Sequence, residues 1–123
     1  MQRIKASELK TYREHYLEEQ HSICALCNEP IDPAEAVLDH CHTTGRLRSV
    51  LHRGCNAFLG TIENNRKRNR ISDSRLENIL ANVVEYVTAY KELLHPTYRT
   101  PEERKARAKA RAKKKRASKR SNE

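Results

Sequence analysis

Two short pairs of soft metal ligands constrain this chain more than any other feature. Cys24-x-x-Cys27 is followed, after 24 intervening residues, by His52-x-x-Cys55. Each pair can wrap one side of an ion, and the two close a tetrahedron when the segment between them folds back as a hairpin. A Cys3His set leaves no open coordination position, so one structural zinc ion per chain is expected. Cys41 is the remaining cysteine and could compete with His52 as fourth ligand; the two-residue knuckle that His52 makes with Cys55 favours His52. Buried free thiols are the plainer alternative, but two matched pairs argue against it.

Composition shows why such a staple is needed. The chain has 123 residues, 5% aromatics and no tryptophan, so its apolar core is thin. Below roughly 70–80 ordered residues a core generally needs a metal, disulfides or a second subunit. No apolar stretch approaches the ~20 residues that span a bilayer. The start, MQRIKASELK, lacks the apolar region of a secretory signal. The expectation is an intracellular protein with no membrane association, where thiols stay reduced and close cysteines favour metal over disulfide.

Charge is unevenly placed. Residues 99–123 carry 12 Lys/Arg against 3 Asp/Glu, while residues 1–98 carry 13 of each sign, so the whole net charge of +9 lies in the tail. A basic appendage on a neutral body suits a polyanion, most naturally nucleic acid; a solvated tail that only aids solubility is the simpler reading. Its Ala/Lys/Arg composition has good helix propensity, but like-charge repulsion should keep the free tail frayed until phosphates relieve it.

The pattern along the chain predicts a small α+β fold. Leu9, Tyr12, Tyr16 and Leu17 give a helix over residues 6–20, with Ser7 as N-cap. Short strands at 36–38 and 47–51 flank the turn Thr43-Thr44-Gly45, and a helix follows over residues 53–64, weakened near Gly60. Residues 65–72 read as a basic connector. Ser74-x-x-Glu77 resembles a capping box that opens a helix ending at His95-Pro96, with Leu76, Ile79, Leu80, Val83, Val87, Tyr90 and Leu94 on one face. That face packs on the N-terminal helix or forms a dimer interface, with neither favoured. Three regions are expected: helix and zinc-bound core (1–64), connector and amphipathic helix (65–96), and basic tail (97–123).

Between the knuckles lies VLDHCHTTGRLR, and Asn56 directly follows Cys55. Hydrolysis of a phosphodiester needs a general base for water, a divalent cation and groups that hold the phosphate. His40 can take a proton near neutral pH. Asp39 offers a carboxylate and Asn56 a carbonyl oxygen, enough protein ligands for Mg²⁺ or Mn²⁺ with waters completing the shell. Arg46 and Arg48 could hold DNA phosphate oxygens. An Asp-His pair alone is more often a surface contact; its place between a zinc knuckle, a glycine turn and Asn56 gives it weight.

The run CALC…VLDHCHTTGRLRSVLHRGCNAFLG resembles the bacteriophage recombination endonuclease VII family of the His-Me finger (HNH) nuclease superfamily, over roughly residues 15–62. The resemblance implies a zinc-stapled ββα-metal core, with Cys24, Cys27, His52 and Cys55 as zinc ligands. Asp39 and Asn56 would hold the catalytic Mg²⁺, His40 would be the general base and His42 would help to position the phosphate. It implies an HNH-type endodeoxyribonuclease, a homodimer resolving Holliday junctions or other branched DNA in the cytoplasm of a bacterial host. Two departures from the family pattern stand out: Cys41 replaces an aspartate, and His52 replaces a cysteine. A nicking HNH nuclease with less structure selectivity, or a non-catalytic zinc DNA-binding protein, are the competing readings.

Overall fold

The computed structural model describes residues 1–122, with four α-helices and one two-stranded antiparallel sheet among the described residues. The chain divides into two compact units, Met1–Ala81 and Asn82–Glu123. Within the first unit, a single 3-10 turn at Ala6–Glu8 leads into helix α1 (Leu9–Glu19), so Ser7 lies inside the turn and is not its cap. The amide of Lys5 donates to Glu8 Oε2 at 3.2 Å and fixes the entry. No glycine ends α1; His21 and Ser22 both take left-handed φ instead.

Strand β1 (Ala36–His40) pairs with β2 (Leu47–His52) through Ala36 opposite His52, Val37 opposite Leu51 and Leu38 opposite Val50. β1 thus runs two residues beyond the expected 36–38, carrying Asp39 and His40 on the strand. The register then shifts, with His40 opposite Leu47, so Asp39 alone faces the two residues Arg48 and Ser49. Such a bulge bends the strand and re-aims side chains locally. Val50 and Leu51 are adjacent in β2 and both buried. Since neighbours on a strand point to opposite faces, both faces of this hairpin are covered, and both α1 and the helix after β2 pack on it.

Leu17, Cys24, Ile31, Ala36, Val50 and Leu51 form the core, with Tyr16, Leu38, Cys55 and Leu59 against it. A core of six side chains, one a thiol, is as thin as the composition implies. A side chain helps to complete the sheet edge: Gln20 accepts from the Val50 amide and donates to the Val50 carbonyl, both at 2.8 Å.

β2 passes into helix α2 (Arg53–Arg68) without a loop, His52 serving as both last strand residue and N-cap. α2 continues four residues past residue 64, so the first half of the expected connector is helix. Gly60 costs helix propensity but is outweighed by the packing of α2 on both strands. The helix ends at Asn69 with Arg70 in the left-handed region, the Ile71 amide donating to Arg66 O at 2.9 Å and the Arg70 amide to Lys67 O at 3.3 Å. That is a Schellman termination with arginine where glycine is preferred.

Helix α3 (Asp73–Tyr86) is shorter than expected at its C-terminus. Its cap is Ser72, whose Oγ accepts from the Arg75 amide at 3.3 Å, and the Ser74/Glu77 box does not form. Thr88 ends it: its hydroxyl donates to the carbonyls of Glu85 (3.0 Å) and Val84 (3.3 Å), and its amide turns to the tighter bond with Glu85 O. Hydroxyls that bond back to helix carbonyls compete with continuation of the helix. Helix α4 (Pro101–Ser121) replaces the expected frayed tail. Thr100 caps it by accepting from the Glu103 amide, Pro101 occupies the first turn with Glu102 and Glu103, and Lys119 and Arg120 close the last turn. Each suits the helix dipole. No helix among the described residues is long and apolar enough to cross a membrane.

Candidate active site and metal centre

The N-terminal knuckle is a tight loop with its own backbone bonds. The Cys24 amide donates to Glu29 O (2.8 Å), the Asn28 amide donates to Cys24 O (3.0 Å), and Asn28 supplies the left-handed φ that the turn requires. The second knuckle is the joint between β2 and α2. The hairpin brings the two together: one donor atom from each of Cys24, Cys27, His52 and Cys55 lies within 4.8 Å of all the others. Cys41 stands outside this group, and His52 is its fourth member.

The group fits a zinc ion. Zinc–sulfur bonds of about 2.3 Å and zinc–nitrogen bonds near 2.0 Å place tetrahedral donors roughly 3.5–3.8 Å apart. His52 Nδ1 lies 3.3 Å from Cys27 Sγ and 3.7 Å from Cys55 Sγ. His52 Nε2 donates to the Pro30 carbonyl at 2.9 Å, which leaves the Nδ1 lone pair directed at the sulfurs. Metal-bound histidines are typically oriented by such a bond, which also raises the His52 pKa, with Cys24 adding to it. Burial pushes the Cys24 thiol up, but the amides of Cys27, His52 and Leu26 and the His52 ring outweigh it and lower it to about 6. Cys55 is pushed up to about 11 by burial and by the Cys27 and Cys24 sulfurs. The lowered Cys24 thiol beside the raised Cys55 thiol suits a soft cation, which displaces the Cys55 proton when it binds.

Asp39, at the bulge, is buried, while His40, next along β1, is exposed. The rings of His40 and His42 lie 4.6 Å apart between centroids. Asn56 follows Cys55 on the first turns of α2 and is half-buried. Asp39 and Asn56 together offer a carboxylate and a neutral carbonyl oxygen, a hard donor set that suits Mg²⁺ or Mn²⁺. Cys41, between the two histidines, has its thiol pKa lowered by the Thr44 hydroxyl and by the Thr44 and Thr43 amides.

The two arginines of β2 and its turn differ in their surroundings. Arg46 is exposed, in a groove that also contains Arg3 and the stacked rings of Tyr12 and Tyr16. Arg48 is engaged: its Nε donates to Asp39 Oδ2 at 2.6 Å and its Nη2 to Asp39 Oδ1 at 3.2 Å. The same guanidinium donates to both oxygens of Glu63 on α2, at 3.0 and 3.3 Å, and to the His40 carbonyl at 3.3 Å. Glu63 and then Asp39 raise its pKa further. Glu63 is a site residue that sequence reasoning missed; only its i+7 spacing from Asn56, which puts both on one face of a helix, could have pointed to it. The helical continuation of α2 adds more: His42, Glu63, Lys67 and Arg70 line a cleft on the other flank of the hairpin turn.

No curated protein sequence matches the chain at a significant level. The model of the recombination endonuclease VII family matches residues 1–89, a span that holds both knuckles, the hairpin, α2 and α3, and the chain belongs to that family.

Proposed function

We propose that this protein is an HNH-type endonuclease that hydrolyses the backbone of branched DNA, four-way junctions above all, with Mg²⁺ or Mn²⁺ as cofactor. The observation that carries the reading is the placement of exposed His40 beside buried Asp39, on a strand whose partner runs through the Cys3His group directly into Asn56. His40 takes the proton from a water that attacks phosphorus. The phosphorus–O3′ bond breaks, leaving 5′-phosphate and 3′-hydroxyl ends. Asp39 and Asn56 would hold a divalent cation, which would supply positive charge against the charge that develops on the phosphate oxygens. His42 and Arg46 orient the phosphate.

Zinc at Cys24, Cys27, His52 and Cys55 is structural in this reading, pinning the hairpin and α2 on either side of the chemistry. Two basic surfaces flank the hairpin turn, Arg3 and Arg46 on one side and Lys67 and Arg70 on the other, and suit a strand that crosses the turn. The basic helix α4 adds sequence-independent phosphate contacts. A homodimer is supported by α3 and the segment after it, where Val84, Tyr86, Val87, Tyr90, Leu93 and Leu94 are exposed. Apolar surface this continuous is generally covered by a partner.

The test is cleavage of a four-way junction, a Y-junction and a linear duplex with Mg²⁺. The junction is expected to be cut in preference, and His40→Ala to lower its cleavage by at least about 10²-fold. Equal cutting of linear duplex would favour a less structure-selective nuclease. Absence of cleavage under every metal condition would favour a non-catalytic DNA-binding protein.

A further inference from the structure

We infer that Glu63 and Arg48 form a positioning pair that sets Asp39 against Asn56, so that both face the same cation. The inference rests on the reading of Asp39 and Asn56 as ligands of a catalytic cation. Those two residues lie on different elements, Asp39 on β1 and Asn56 on α2. Something has to fix the rotation of α2 about its own axis relative to the bulge, because a helix turned by one residue carries its side chains through about 100°.

Arg48 makes that link. It sits within the bulge on β2, opposite Asp39, and holds both Asp39 oxygens on one side and both Glu63 oxygens on the other. Glu63 is seven residues after Asn56, two turns along the same face of α2 and about 10.5 Å away along the axis. Fixing Glu63 therefore fixes the azimuth of Asn56. The bond from Arg48 to the His40 carbonyl ties the general base's backbone into the same frame.

Planarity of the guanidinium is what lets one side chain serve two carboxylates and a carbonyl with defined angles; an ammonium has no such fork. The arrangement also separates the two arginines by role. Arg48 has its donors committed within the protein, whereas Arg46 faces the groove and is free to meet phosphate. Arg48 is accordingly a positioning residue, acting on the chemistry through Asp39, the His40 backbone and, by way of Glu63, Asn56.

The experiment uses the zinc-loaded full chain and two readouts: Mn²⁺ binding without DNA, followed by the electron paramagnetic resonance of free Mn²⁺, and the Mg²⁺ dependence of junction cleavage. Glu63→Ala is expected to weaken Mn²⁺ binding on the order of tenfold, as loss of an outer-shell partner commonly does, and to raise the Mg²⁺ requirement in parallel. Glu63→Gln, which loses the charge but still accepts a hydrogen bond from Arg48, should stay close to the wild type. In an Arg48→Lys background, Glu63→Ala should add little, since the fork it anchors is gone.

Equal losses for Glu63→Ala and Glu63→Gln would mean that Glu63 acts as a charge alone, and would overturn the proposal. So would a Glu63→Ala protein with one zinc per chain and wild-type Mn²⁺ affinity. Mn²⁺ binding that is lost in Asp39→Ala, yet untouched by Glu63 changes, would leave the cation site standing and remove only the positioning role. No Mn²⁺ binding by the wild type would overturn both.

Discussion

A carboxylate leaves water only when other groups replace its hydration, and Asp39 is the single buried charged residue among those described. Arg48 provides that replacement from β2. The adjacent Cys41 shows how finely the same few residues are tuned. Its thiol pKa is lowered chiefly by the Thr44 hydroxyl, so the thiolate is present at lower pH than in an ordinary cysteine. Iodoacetamide should therefore alkylate Cys41 in the zinc-loaded protein with a pH midpoint below the usual thiol range, and Thr44→Val should move that midpoint upward. Mass-spectrometric alkylation rates across pH check both. Asp39, His40 and Asn56 could be singled out from the sequence because they lie in short local motifs. The Arg48–Glu63 pair was not, because its partners are 15 positions apart and meet only once α2 has packed at a particular angle.

At the level of elements, terminations were the least legible part of the chain. α2 was expected to end near residue 64, weakened by Gly60, yet it runs to Arg68 and stops at a left-handed arginine. Only the packing of α2 on the hairpin, invisible to local propensity, explains the extension. Arg70→Gly should stabilise the zinc-loaded protein by about 1 kcal/mol, since glycine adopts the left-handed conformation without the steric cost borne by other residues. Thermal denaturation would show it as a rise in Tm. The same substitution removes a cation from the cleft beside His42, so its DNA affinity should fall while its stability rises. A variant that gains in both would argue against the cleft as a DNA path. α3 illustrates the opposite error: its apolar periodicity continues to Leu94, but Thr88 ends the helix at Tyr86 through its own hydrogen bonds.

For the molecule as a whole, the core is so small that a metal ion at the Cys3His group is expected to contribute much of the stability. Six small-to-medium side chains are buried, and the two knuckles hold together both ends of the segment that bears Asp39 and His40. Removing zinc with a strong chelator should abolish the cooperative thermal transition of residues 1–81, and restoring zinc should recover it; calorimetry of both states is the measurement. Retention of the transition without zinc would show that the small core suffices. That the fold would be small and α+β was readable from the apolar pattern, and that Cys24, Cys27, His52 and Cys55 would come together was readable from their spacing, since ligand geometry is a local and stringent constraint.

The position of those ligands along the chain has a bearing on its biogenesis. Every donor of the group lies between residues 24 and 55, and the hairpin and α2 are complete by residue 68. Domains fold vectorially during synthesis, N-terminal parts first. The knuckles can thus capture zinc while the exposed apolar segment and the cationic helix α4 are still inside the ribosome. The basic helix α4 follows that centre in the chain, so it is synthesised after every donor of the group.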